Sequence, residues 1–308
     1  MTLLTPQDVR AKLEQRHSLR NAELSCIDLQ NSMLDRGQFA QAYLRAANLT
    51  GASCRESHFQ QATLSKAILA TADLTGATLT EATLNLANLT RACLESTHAE
   101  RASFNSAVLD GTMFRRADLT QAELSQVQGK VCDFTDAQLI QARLGAANLP
   151  QSCFNGASLS NTNLESAILT DTQWHSANLE WANFCRADLT GADFHAADLI
   201  ACNFRATNLS LAQLVSTEAV EADFTQAILL ETNLSYSDCF SATFEGAAFT
   251  QVKLIQTNLQ QANLEGTVWE QVEFDHTQVQ GALFTDAQGL TESQKAWLRS
   301  HGALNVPR

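Results

Sequence analysis

The chain has 308 residues, 45% of them hydrophobic and 17% charged, with a formal net charge of −13. That length allows one or two domains with a sizeable core, and with only 3 Pro and 13 Gly no stretch reads as a flexible linker. The absence of an 18-residue apolar run argues against a membrane span. The start Met1-Thr2-Leu3-Leu4-Thr5-Pro6 lacks the basic-then-apolar order of a secretory signal. The 8 cysteines stand singly with no CxxC pair, which argues against a disulfide framework or zinc site and fits a reducing cytosol.

In chain order, the first element is a helix. Thr5-Pro6-Gln7-Asp8 supplies an N-cap, a proline at the first helical position and an acid in the first turn. A helix over 6–17 follows, and residues 1–18 form an N-terminal cap.

From residue 19 to 288 the chain keeps a period of five. Ala72-Asp73-Leu74-Thr75-Gly76, Ala77-Thr78-Leu79-Thr80-Glu81 and Ala82-Thr83-Leu84-Asn85-Leu86 show the unit. Of the 53 positions 24, 29, 34 and onward to 284, 45 are Leu or Phe. The exceptions are Cys54, Ala99, Gly129, Trp174, Ala219, Cys239, Trp269 and Val279. The 53 positions from 22 to 282 are all Ala, Ser, Thr, Cys, Gly or Val, except Ile27. Neither a helix, with apolar residues near every 3.6, nor a flat strand, with every second residue inward, produces this pattern. A chain that turns a corner each pentapeptide does, with the large residue inside and the small one fitted beside it.

The motif A(D/N)LXX, clean at Ala72-Asp73-Leu74, Ala117-Asp118-Leu119, Ala177-Asn178-Leu179 and Ala187-Asp188-Leu189, resembles the pentapeptide-repeat family over about residues 19–288. The resemblance implies an all-β fold, a right-handed quadrilateral β-helix with four pentapeptides per coil. Aromatic residues repeat at 20 in agreement: Phe114, Phe134, Phe154, Trp174 and Phe194 form one series, and Phe184, Phe204, Phe224 and Phe244 another. Fifty-three units make about 13 coils, and at about 4.8 Å per stacked strand a rod about 63 Å long. Gly129 leaves a gap at a large inward position, for which Val127-Gln128-Gly129-Lys130 suggests a bulge or a functional loop. Residues 289–308 form a C-terminal cap, with Thr291-Glu292-Ser293-Gln294 as a capping box and Gly302 as the helix stop. Trp297 and Leu298 on that helix either cover the last coil or, as the resemblance implies for some relatives, form a dimer contact.

No phosphate loop, HExxH or GxSxG motif is present, so no catalytic residue is assigned, no cofactor is called for, and the chain does not read as an enzyme. His175 and His195, 20 apart and near Asp193, could in principle hold zinc, but a solvated surface ladder is the preferred reading and no metal site is assigned. Cys132 and Cys202 fall at small inward positions, and Cys54 and Cys239 at large ones, where cysteine packs as a small hydrophobe.

Function is expected on the outside. Residues 1–150 carry 14 basic and 15 acidic residues, net −1, whereas residues 151–308 carry 6 and 18, net −12. Asp198, Glu218 and Asp238 repeat at 20 as an acidic ladder, with Asp188, Asp193 and Asp223 expected nearby. Beside them Ile200, Val220 and Phe240 also repeat at 20, and Trp181, Leu211, Leu230, Tyr236 and Ile255 are likewise apolar where the motif expects polar residues. Since Val220 and Phe240 follow the undersized Ala219 and Cys239, they could face either solvent or core.

One reading is a non-catalytic scaffold for a protein partner with a basic surface, within which accessory or effector proteins of bacterial secretion fall. The other is DNA mimicry, which the resemblance implies for some family members that bind DNA gyrase or topoisomerase IV and confer quinolone resistance. A 63 Å rod would match about 19 base pairs, but the near-neutral first half and the lack of inserted loops weigh against it. Without a basic stripe, direct nucleic-acid binding is disfavoured. The expected state is a cytoplasmic monomer, or a homodimer through the C-terminal helix, with no membrane contact.

Overall fold

The computed structural model describes residues 4–308. Met1-Thr2-Leu3, on which the reading of the leader partly rests, lies outside the described residues. The chain forms two compact units, one ending at Ser158 and one beginning at Leu159.

The first unit opens with α1, Pro6–Glu14. The Thr5 side chain accepts from Asp8 N–H while the Asp8 carboxylate accepts from Thr5 N–H (2.8 Å), closing a capping box. The helix is three residues shorter than expected, because Arg16 takes a left-handed φ of 56°. Arg16 N–H then donates to Leu13 C=O and His17 N–H to Lys12 C=O, the Schellman arrangement that ends a helix.

Beyond α1, pentapeptides within this unit bridge in parallel to those 20 residues on, as in Glu23↔Tyr43↔Thr63↔Thr83↔Ser103. The chain is a β-helix. One repeat shows how five residues suffice. Leu24 N–H donates to Tyr43 C=O (2.7 Å) and Tyr43 N–H to Ala22 C=O (2.9 Å), which stacks the repeats. Ala42 N–H donates back to Phe39 C=O (3.0 Å), closing the corner, and Gln41 just before it has φ 60°. The corner leaves the small and large residues inward, and both classes are buried along the unit apart from the half-buried Ala22 of its first repeat. Each fully buried Leu or Phe contributes roughly 1.5–3 kcal/mol before entropy is subtracted. Phe39–Phe59, Phe114–Phe134 and Phe134–Phe154 stack at 4.9, 4.9 and 4.8 Å.

The bulge expected at Gly129 is not formed. Gln128↔Asn148 and Met113↔Asp133 keep the 20-residue register on either side. A Cβ on Gly129 would lie 2.8 Å from the Leu109 backbone and 2.9 Å from Cys132 Sγ, so close packing of neighbours closes the gap instead.

The second unit repeats the scheme, as in Asn163↔Asn183↔Asn203↔Asp223↔Thr243↔Asn263↔Leu283. Phe184, Phe204, Phe224 and Phe244 stack at 5.1, 4.9 and 4.7 Å, and Trp174 stacks on Phe194 at 5.6 Å. Three rungs lengthen into the parallel strands β1, Ile228–Leu230, β2, Ala248–Thr250, and β3, Val268–Glu270. Hydroxyls at the small position do not go unpaired: those of Thr207, Thr232 and Thr257 donate to the carbonyls of Phe184, Leu209 and Leu234 one rung back. Inward tryptophans need a further partner, and the Nε1–H of Trp174 and Trp269 each donate to a threonine two residues earlier, Thr172 and Thr267, at 2.8 Å.

The unit closes with α2, Glu292–Ser300, capped by Thr291 and Gln294 as expected. Gly302 has φ 84°, and Ala303 N–H donates to Leu298 C=O (3.1 Å), so glycine supplies the left-handed stop. The chain then returns to the sheet, where Leu304 bridges Leu283.

Candidate functional site

Where the residue before a large inward side chain is Asp or Asn, it has a local task. Its carboxylate or amide oxygen accepts the N–H two residues on: Asp198 from Ile200 (3.1 Å), Asp238 from Phe240 (3.0 Å), Asp193 from His195 (3.0 Å), Asp223 from Thr225 (2.9 Å) and Asp188 from Thr190 (3.1 Å). Such short acceptors stabilise turns. This explains the Asp or Asn of the motif better than simple solvation does. It also leaves one oxygen of each aspartate for other contacts.

Those other contacts sort the acids. Asp198, Glu218 and Asp238 bridge one another in sequence, with Asn258 next, and Asn258 Nδ2 donates to Asp238 at 2.8 Å. None of the three carboxylates has an ion-pair partner among the described residues. Asp188, Asp193 and Asp223, expected near this ladder, belong to different ones: Asp188 bridges Asn208, Asp193 bridges Gln213, and Asp223 bridges Thr243. Asp223 is ion-paired with Arg205 (3.2 Å), and an oxygen of Asp193 lies 2.8 Å from His175 Nε2. The candidate acidic site therefore contracts to Asp198, Glu218 and Asp238.

The apolar row stands beside it. Ala219 and Cys239 are fully buried and fill the core positions themselves, so Phe240 points outward at 39% exposure and Val220 is half-buried with Ile200. Successive rungs tie the row together, with Ala201 N–H donating to Val220 C=O and Glu221 N–H to Phe240 C=O. Trp181 joins it through a 3.0 Å bond to Ile200 C=O and is 56% exposed; Tyr236, two residues before Asp238, is 58% exposed. Exposed aromatics gathered beside unneutralised carboxylates are the composition of a contact surface.

A second exposed apolar strip lies on β1–β3, where Ile228, Ala248 and Val268 pair directly, flanked by Leu230. Sequence reasoning noted Leu230 and Leu211 but passed over Ile228 and Val268. Their signal was an apolar residue in the Asp/Asn position recurring at 40.

The remaining candidates have structural roles. His175 and His195 rings lie 6.1 Å apart, and among the described residues no group of three His, Cys, Asp or Glu side chains is placed to hold a metal. Burial pushes the thiols of Cys132 and Cys239 up to about 12 and those of Cys54 and Cys202 further up, so these sulfurs stay protonated. Leu298 is buried and Trp297 packs on Phe274 (5.0 Å) and His301 (4.1 Å), covering the last rung. An open cleft of about 530 Å³ lies beside them, and another of about 470 Å³ beside α1, lined by Arg10, Leu13 and Met33. No described helix is long and apolar enough to cross a membrane.

The family described as Pentapeptide repeats matches in 8 copies, over residues 18–51, 52–91, 87–126, 132–171, 177–214 and 253–287. The chain belongs to the pentapeptide repeat family, a class of repeat scaffolds, and no enzyme family is indicated. Among solved structures, it is similar to HetL, a pentapeptide repeat protein involved in heterocyst differentiation regulation from the cyanobacterium Nostoc sp. strain PCC 7120. The identity is 30%, over 74% of this chain and 91% of that one, with a TM-score of 0.32. A pentapeptide repeat protein of the Arabidopsis thaliana thylakoid lumen is 32% identical over 38% of this chain and 78% of its own, with a TM-score of 0.24. QnrB1, a plasmid-mediated fluoroquinolone resistance protein, is 13% identical over 69% and 95%, with a TM-score of 0.39. No curated protein sequence matches the chain.

Proposed function

We propose that the chain is a non-catalytic protein-interaction scaffold: a right-handed quadrilateral β-helix of about 13 coils over residues 19–288, capped by 1–18 and 289–308. It docks a partner with a basic surface through Asp198, Glu218 and Asp238, flanked by Ile200, Val220, Phe240, Trp181 and Tyr236. The observation that carries this reading is the coincidence of the two rows. Three carboxylates without ion-pair partners stand beside exposed aromatic side chains, in a half of the chain with net charge −12. Like charges stacked on neighbouring rungs repel, and a basic partner relieves that repulsion.

The scaffold works in the cytoplasm as a monomer, or as a homodimer through the C-terminal helix. It needs no cofactor, nucleic acid or membrane. Accessory or effector roles in bacterial secretion fall within this reading. DNA mimicry toward gyrase or topoisomerase IV would use the same ladder, but over residues 1–150 the 15 acidic residues are offset by 14 basic ones, and a net charge of −1 is too little to imitate a duplex along the chain.

The test is a cross-linked pull-down with the wild type and with Asp198→Asn/Glu218→Gln/Asp238→Asn. A single basic protein captured by the wild type and lost from the triple variant is the expected outcome. Identical captures by both proteins refute the surface, and recovery of a topoisomerase favours mimicry.

A further inference from the structure

We infer that the segment this surface takes is a basic amphipathic α-helix lying along the stack of rungs, an inference that rests on the docking surface proposed above. The argument is one of spacing. The stacked phenylalanines Phe184, Phe204, Phe224 and Phe244 put neighbouring rungs 4.7–5.1 Å apart. Asp198, Glu218 and Asp238 occupy three consecutive rungs, so the ladder repeats about every 5 Å and spans about 10 Å.

Polypeptide conformations differ in how often they return a side chain to one side. An α-helix does so at i, i+4 and i+7, spanning about 10.5 Å, with intervals of about 4.5–6 Å. A β-strand does so every second residue, about 6.7 Å apart, and its third such residue overshoots the third rung by about 3 Å. A polyproline helix returns only every third residue, about 9.3 Å, and so misses the middle rung. Of the three, the α-helix matches the rung interval most closely and sets a Lys or Arg against each carboxylate with the least side-chain adjustment.

The surface beside the ladder fits the rest of such a helix. Ile200, Val220 and Phe240 follow the acids by two residues on the same rungs, and Trp181 meets Ile200 at the corner. This apolar row runs parallel to the ladder at the same interval. An amphipathic helix presents the matching pair of stripes, basic and apolar side by side. Asp198 and Asp238 are each held in place by a backbone N–H two residues on, so their positions are largely set before a partner arrives.

The test uses three labelled peptides of one Lys/Leu/Ala composition: Lys at i, i+4 and i+7 beside a Leu stripe, Lys and Leu in strict alternation, and a shuffled order. Anisotropy measures their binding to the full chain, and circular dichroism follows the peptide. The proteins are the wild type, Asp198→Asn/Glu218→Gln/Asp238→Asn, Phe240→Ser, and a control with the same charge change elsewhere, Glu245→Gln/Glu265→Gln/Asp286→Asn. The helical pattern should bind the wild type and the control at least about tenfold more tightly than the alternating one and gain helix on binding. Both ladder and Phe240 variants should lose that advantage. If the alternating peptide binds as tightly, and still depends on the ladder, the helix is wrong while the docking surface stands. If the ladder and control variants behave alike with every peptide, both fall.

Discussion

The buried pairing of Trp174 with Thr172 can be measured by a double-mutant cycle. Thr172 Oγ1 accepts the indole N–H at 2.8 Å and itself donates to Leu169 C=O at 2.6 Å, and both side chains are essentially unexposed. Thr172→Val keeps the branched shape but removes the acceptor, leaving a buried donor at a cost of about 1–3 kcal/mol. Trp174→Phe removes the donor; phenylalanine already fills the same position one rung on, at Phe194. In the Trp174→Phe background Thr172→Val should therefore cost about 1–2 kcal/mol less, since only the bond to Leu169 is lost. Urea unfolding of the four proteins, followed by far-ultraviolet circular dichroism, gives the coupling energy. A Thr172→Val penalty equal in both backgrounds within about 0.5 kcal/mol refutes the pairing.

The buried thiols predict a specific alkaline weakness. Their folded values lie well above the ordinary value of 9.0, so the folded chain holds protons that the unfolded chain releases. That stability is intact below about pH 9 and falls as pH rises, by up to about 1.4 kcal/mol per thiol per unit until the folded value is reached. Replacing Cys54, Cys132, Cys202 and Cys239 with Ala should flatten the decline in urea midpoint between about pH 9 and 11, and equal slopes would show that other groups set it. Gly129→Ala should destabilise by about 1–3 kcal/mol, because the new methyl meets Leu109 backbone rather than a movable side-chain tip; an unchanged thermal midpoint would mean that the rung has room after all.

The core was legible because inward residues answer to one strict constraint. A Leu at 74 or 264 is buried wherever it falls in the 20-residue repeat, so the period of five was visible without knowing which residues stack. The caps were legible for a different reason: Thr5 with Asp8 and Thr291 with Gln294 are local devices whose partners are three residues away. The outward residues obey no such rule. Asp188, Asp193 and Asp198 look alike in sequence, yet only Asp198 stands in a ladder of carboxylates without ion-pair partners, because the answer depends on residues 20 away and on arginines 18 away. Val220 and Phe240 were ambiguous because an undersized neighbour could have been filled by either. The structure shows Ala219 and Cys239 filling their own places. The end of α1 was misjudged because arginine is an uncommon left-handed helix stop.

The two periods have a consequence for how such a chain can change length. Inward residues recur every five positions, whereas outward neighbours are set by the bridges at 20. Excising five residues would leave every large side chain inside, yet slide all later surface groups onto a different ladder, setting Glu218 against strangers. Excising twenty would shorten the stack and leave every surviving row aligned. Duplication and loss in blocks of twenty can therefore tune reach while preserving what the exterior spells, and a single-pentapeptide slip rewrites the exterior while the interior hardly registers it.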